Sequence, residues 1–196
     1  MKIEDISNHK PSQLLQDYSL NLIVALQDLD QNTLNNIISL ELDCDSLPSF
    51  EEGWNSRLET KSLITYLHEN NNDKPAVYWI EIISDHDAKA IYDPYPNLTT
   101  VLKRKIPAYK KTFKMWESKV LYVGKVKDNM AGRMILHLGY KNVASMQGLQ
   151  LCHWTHLKGL KLRLNIIYLP STLGVLAGVF EFKMAQELHP ILGKHR

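Results

Sequence analysis

Apolar residues recur at helical spacing through "PSQLLQDYSLNLIVALQDLDQNTLNNIISL" (residues 11–40), and an Asn-rich break divides them, so the pattern predicts two short helices. "DCDSLPS" follows as a polar turn region. In "SFEEGWNSRLETKSLITYLHE" (49–69) the helical period returns. Ser49 and Glu52 are spaced as a capping box at its start. The turn formers of "NNNDKP" (70–75) mark a boundary. Beyond it the period changes. "AVYWIEII", "KVLYVGKV" and "LKLRLNIIYLP" are dense in β-branched and aromatic residues and predict three strands. Between the first two lies a long, proline-punctuated stretch, residues 84–118. After the second, Asp128 is placed to cap a helix that ends at Gly139, and "GLQLCHW" predicts a short helix or turn. Ser171 or Thr172 can cap a long helix running to about Leu188. The chain therefore divides into a helical N-terminal region, 1–74, and an α+β unit, 75–196, on a small sheet of about three strands.

Composition changes this picture little. The chain has 196 residues, 44% of them apolar and 22% charged, as expected of a soluble globular protein. The apolar runs "LNIIYLP" and "TLGVLAGVF" are too short to span a bilayer, and "MKIEDISNHK" does not have the form of a signal peptide. Cys44 and Cys152 lack metal-site spacing, which points to free thiols. These features lead us to expect a cytoplasmic protein with no membrane partner. Charge is more informative. Residues 1–74 carry a net −8 and residues 75–196 a net +10. A basic unit joined to an acidic one points to an anionic partner for the basic part.

The candidate chemistry lies around "LYVGKVKDNMAGRMILHLG" (121–139). Gly124-Lys125 begins like a phosphate loop, but no glycine stands five residues earlier and Val126 follows the lysine. The backbone amides and hydroxyl that such a loop needs are missing, and no dinucleotide fingerprint is present. Arg133 and His137 are four apart and share a helical face. That face pairs a fork of donors suited to phosphate oxygens with a group able to move a proton. On the last helix, Gly174, Gly178 and the lone acid Glu181 share a face. Each glycine disfavours a helix by roughly 0.5–1 kcal/mol relative to alanine, a cost explained either by clearance around the carboxylate or by close helix–sheet packing.

Taken in order, Tyr78 in "AVY", Tyr122-Val123-Gly124, Arg133, His137 and Glu181 resemble the motifs of the GIY-YIG nuclease family. The tail "ELHPILG" is similar to the closing Pro-x-x-Asn segment of that family. The resemblance covers residues 76–194. It implies a small, mainly antiparallel three-stranded sheet flanked by helices, and a metal-dependent endonuclease acting on DNA. Three departures stand out. Ala76 replaces the first glycine, Gly193 stands where the family often has Asn, and 43 residues separate Tyr78 from Tyr122, which makes 84–118 an insertion.

Carried over residue by residue, the resemblance implies that Glu181 binds Mg²⁺ or Mn²⁺ and that Arg133 contacts the scissile phosphate. Tyr78 would position or deprotonate the attacking water, assisted by Tyr122 and His137. An ordinary Tyr has a pKa near 10, so a basic role requires Arg133, Lys125 or the metal to lower it. Gly124 and Lys125 would border the substrate. In the insertion, "LKRKIPAYKKTFKMW" interleaves Lys103, Arg104, Lys105, Lys110 and Lys111 with aromatics, a composition suited to phosphate contacts with stacking, or to a solvated basic loop. "CHWTH" (152–156) lacks the second ligand pair that a zinc site needs, and Trp154 is expected in the core. The N-terminal region is a possible site for a protein partner or self-association. Two other readings compete with the nuclease: a nucleic-acid-binding module of the same fold without cleavage, and an interaction protein.

Overall fold

Every position of "AVYWIEI" packs against a neighbour, because this segment becomes one of the two inner strands of a sheet covered on both sides. The computed structural model describes residues 11–28, 37–70, 73–93, 106–108, 116–141, 147–154 and 157–193. Within them four strands, β1 (Ile38–Asp43), β2 (Ala76–Ile82), β3 (Val120–Val126) and β4 (Lys161–Tyr168), form one antiparallel sheet in the order β1-β4-β2-β3. The α-helices are α1 (Pro11–Asp28), α2 (Leu58–Glu69), α3 (Ala88–Tyr92), α4 (Met130–Leu138) and α5 (Ala177–Leu188).

The protein is thus α+β, with four strands rather than the three expected. The added strand is "ISLELD", whose first three residues, Ile38–Leu40, fall at the end of the segment 11–40 expected to be helical. Its strict alternation has the period of a strand, and it pairs with β4 from Ile38↔Ile166 to Asp43↔Lys161. Residues on both sides of position 74 consequently share one sheet and one core. Leu42, Leu47, Ile64 and Leu67 are buried with Tyr78, Ile80, Leu162 and Leu164.

Alternation along β2 separates the two faces. Ala76, Tyr78, Ile80 and Ile82 join a core with Met130, Ala131, Met134 and Leu138 of α4, and α2 closes this layer. Val77 and Trp79 face the other way, toward Ala177, Met184, Ala185 and Leu188 of α5. A register shift after Ile80 lets Leu121 and Tyr122, adjacent in β3, enter the same core. The outer edge of β3 is covered by the tail. Ile191 and Leu192 donate their N–H groups to the carbonyls of Val120 and Leu121 at 2.9 and 3.0 Å.

Three caps differ from expectation. Ser49 and Glu52 do exchange hydrogen bonds, at 2.7 and 3.3 Å, but they close a turn, and α2 begins only at Leu58. Asn129, not Asp128, caps α4: its carbonyl-bearing side chain accepts from the Gly132 N–H at 2.8 Å while its backbone is left-handed, at φ 56°. Ser171–Leu176 is a 3-10 helix leading into α5, so Gly174 precedes the α-helix proper and packs on Pro75. The opposite end of α4 is as expected, with Gly139 at φ 101°.

Candidate active site

Cross-strand register builds the centre of the site. Tyr78 on β2 lies opposite Gly124 on β3, and Ile80 lies opposite Tyr122. A Cβ at position 124 would stand 2.5 Å from Tyr78 Oη and 2.6 Å from Tyr122 Cε1. Gly124 is therefore mid-strand and makes room for two phenols. It does not turn the chain into α4. The chain turns after Val126, and Asn129 starts the helix.

From α4, Arg133 and His137 point onto these phenols. Arg133 Nε donates to Tyr78 Oη at 2.9 Å, Nη2 to Tyr122 Oη at 3.1 Å, and Nη1 to the Gln147 carbonyl at 3.0 Å. His137 Nε2 is 2.7 Å from Tyr78 Oη, and His137 Nδ1 accepts from the Leu149 N–H at 3.3 Å. That second bond fixes the tautomer. With Nδ1 an acceptor, the neutral ring carries its proton on Nε2 and donates it to Tyr78. Tyr78 Oη then accepts from both His137 and Arg133, and its ring lies tilted against that of Tyr122, with centroids 6.2 Å apart. The polar chain runs from His137 through Tyr78 and Arg133 to Tyr122.

Two contributors are invisible to side-chain reasoning. Gln147 and Leu149 act through backbone groups, and a Cβ on the intervening Gly148 would collide with the Leu136 carbonyl. The glycine lets this segment lie directly on α4. An isolated glycine in the polar stretch "SMQGLQ" is the only trace of it in the sequence.

Burial dominates the electrostatics. Tyr78 and His137 are both 0% exposed. Desolvation, with the neighbouring Tyr122 adding to it, pushes the Tyr78 phenol far above its ordinary value, and Arg133 only partly offsets this. Tyr122 is raised by burial too, again against Arg133. Desolvation and then the Arg133 charge hold His137 well below the usual imidazole range, so it is neutral. The lowering of the Tyr78 pKa that a basic role requires is not met by these side chains. Tyr78 is a buried phenol held between His137 and Arg133.

Glu181 approaches from the other face of the sheet. It lies on α5, and its Oε2 is 3.2 Å from Nζ of Lys125 on β3. Arg133, Glu181 and Lys125 nevertheless line one open cleft of about 460 Å³, together with Lys127, Asn129 and Lys141. The structure therefore brings Arg133 and Glu181 to a common surface, with Tyr78 and His137 behind Arg133. Lys103, Arg104, Lys105, Lys110 and Lys111 lie outside the described residues.

Among the described residues no group of three or more His, Cys, Asp or Glu side chains converges. Two carboxylates, Glu181 and Asp128, line the cleft, and Glu181 holds the Lys125 ammonium at 3.2 Å. One carboxylate suits a hard ion that keeps most of its waters, as Mg²⁺ or Mn²⁺ does. In "CHWTH", Trp154 is a buried plug whose indole N–H donates to the Leu149 carbonyl at 2.9 Å, and His153 lies against Phe50. Gly193 sits at φ 126°, a conformation that a side chain rarely adopts, and its N–H donates to the Ala108 carbonyl at 2.7 Å. Among the described residues no helix is long and apolar enough to cross a membrane. Set against protein-family models, curated proteins and solved structures, the chain matches none.

Proposed function

We propose that this protein is a metal-dependent endonuclease of the GIY-YIG type, hydrolysing DNA phosphodiester bonds with Mg²⁺ or Mn²⁺ at Glu181. The observation that carries the proposal is the cleft shared by Arg133 and Glu181 and bordered by Lys125, Lys127 and Lys141. Cleaving a phosphodiester needs neutralisation of the non-bridging oxygens, an oriented water and help for the leaving oxygen. Arg133 spends three of its five N–H donors on Tyr78, Tyr122 and Gln147, which fixes its plane and leaves two for a phosphate. Tyr122, less buried than Tyr78 and bonded to the cleft-lining Arg133, can orient a water through its hydroxyl. Tyr78 and His137 hold Arg133 and Tyr122 in place. A divalent ion on Glu181 supplies charge neutralisation and Lewis-acid help to the leaving oxygen when bound. The lysines of the rim offer phosphate contacts that position a duplex without reading its sequence.

A second reading, a DNA-binding module without cleavage, draws on the raised pKa of Tyr78 and on Gly193 in place of a side-chain amide. Purified protein incubated with plasmid and oligonucleotide DNA and Mg²⁺ or Mn²⁺, beside Glu181→Ala, decides between them. Cleavage by wild type alone supports the nuclease. Intact DNA with retained binding by both proteins supports the module, and no DNA affinity at moderate salt rejects both.

A further inference from the structure

We propose that Lys125 is the resident counter-ion of Glu181, and that a divalent cation reaches this carboxylate by displacing the Lys125 ammonium. The inference rests on the metal site proposed above. The Lys125 Nζ lies 3.2 Å from Glu181 Oε2, on an oxygen that a metal or its hydration shell would need. The pair is asymmetric. The Glu181 side chain is 15% exposed and the Lys125 side chain 46%, so the carboxylate is sheltered and the ammonium is the member free to leave.

Gly178 supplies the independent observation. It stands three residues before Glu181 in the first turn of α5, where glycine favours the helix less than alanine does. A Cβ there would lie 2.6 Å from Lys125 Nζ and 3.8 Å from its Cε, with no other heavy atom within 4 Å. The missing side chain makes room for the lysine tip and for nothing else. β3, α5 and a helix-disfavouring residue thus combine to hold a removable cation on the carboxylate. Without metal the pair is neutral. Once a metal takes Glu181, the ammonium is released into the cleft that holds Arg133, where a substrate phosphate is the group to receive it.

The test is Mn²⁺ binding to the full chain without DNA, read by titration calorimetry and by the electron paramagnetic resonance of free Mn²⁺. The proteins are wild type, Lys125→Met, Gly178→Ala and Glu181→Gln. Glu181→Gln should lose the site. Lys125→Met should bind about fivefold more tightly, the upper range for a partly exposed ion pair. Gly178→Ala keeps the charge but fills the space of the ammonium, and it should tighten binding in the same direction while leaving the melting temperature equal or higher. Equal affinity of wild type, Lys125→Met and Gly178→Ala, with binding lost in Glu181→Gln, overturns the displacement and leaves the metal site standing. Tightening in Lys125→Met alone assigns the effect to bulk charge and also overturns it. No Mn²⁺ bound by any form removes both the inference and the metal site beneath it.

Discussion

Gly124→Ala would introduce a Cβ 2.5 Å from Tyr78 Oη, 2.6 Å from Tyr78 Cζ and 2.6 Å from Tyr122 Cε1. Non-bonded carbons prefer about 3.5–4.0 Å, so the overlap is on the order of 1 Å against two rings at once. The Tyr78 ring has no exposed side to retreat into, and its hydroxyl is pinned by His137 at 2.7 Å and Arg133 at 2.9 Å. If the rings stay, overpacking costs about 1–3 kcal/mol. If Tyr78 moves, buried donors on Arg133 and His137 lose their acceptor, at about 1–3 kcal/mol more. The expected loss is about 2–6 kcal/mol where both contribute, and with a urea slope of about 2–3 kcal/mol/M for a chain of this length it lowers the unfolding midpoint by about 1–3 M. The control is the same change in a Tyr78→Leu background. There only the overlap with Tyr122 remains, partly offset by the roughly 0.5–1 kcal/mol by which alanine in a strand is favoured over glycine, so Gly124→Ala should cost much less than in wild type. Equal costs in the two backgrounds, or a midpoint unchanged by Gly124→Ala alone, would refute the packing role of this glycine.

His137 predicts a pH dependence whose sign follows from its depressed pKa. Below the unfolded value near 6.5 the unfolded chain binds a proton that the folded site refuses, so stability falls as pH drops, by up to about 1.4 kcal/mol per pH unit. Urea midpoints of wild type and His137→Asn between pH 5 and 7.5 check this, and parallel slopes would reject a neutral His137. At the start of α4, Asn129→Ala removes the side-chain cap and places alanine at φ 56°, for a combined loss of about 2 kcal/mol in thermal or urea unfolding. Asn129→Gly loses the cap but suits the backbone, so it should cost a few tenths of a kcal/mol. Equal losses for the two variants would show that the left-handed backbone at 129 carries no strain.

What the sequence displayed and what it concealed divide along one physical line. Local periodicity located β2, β3, β4 and α4 to within a few residues, and the four-residue spacing of Arg133 and His137 placed them on one face. Long-range pairing is not encoded in any local window. β1 needs Leu40 opposite Leu164, and the six residues of "ISLELD" also continue a helical pattern. The role of Gly124 depends on facing Tyr78 across the sheet, which no spacing along β3 displays. Gln147 and Leu149 serve the site through main-chain atoms common to every residue type. The clearance reading of the glycines near Glu181 holds for Gly178 but not for Gly174, and Lys125 decides which, from a strand far away in sequence.

The site is thus built from two halves with opposite physical character, divided by the edge of β3. On one face Tyr78, His137 and Arg133 are locked by buried hydrogen bonds with a fixed tautomer, which suits groups that must not reorganise as charge develops. On the other face Lys125 and Glu181 form a partly exposed ion pair that can be exchanged at little cost. This division constrains the proposed hydrolysis. The buried half holds no group whose pKa lies near neutrality on the accessible side: Tyr78 is raised, and His137 is neutral with its Nε2 proton committed to Tyr78. Burial raises the Tyr122 phenol as well, so in the proposed hydrolysis proton removal from water would be assisted at the cleft by the cation that Glu181 holds. A cleaving activity that survived Glu181→Gln but not Tyr78→Phe would place the base in the buried half and contradict that conclusion.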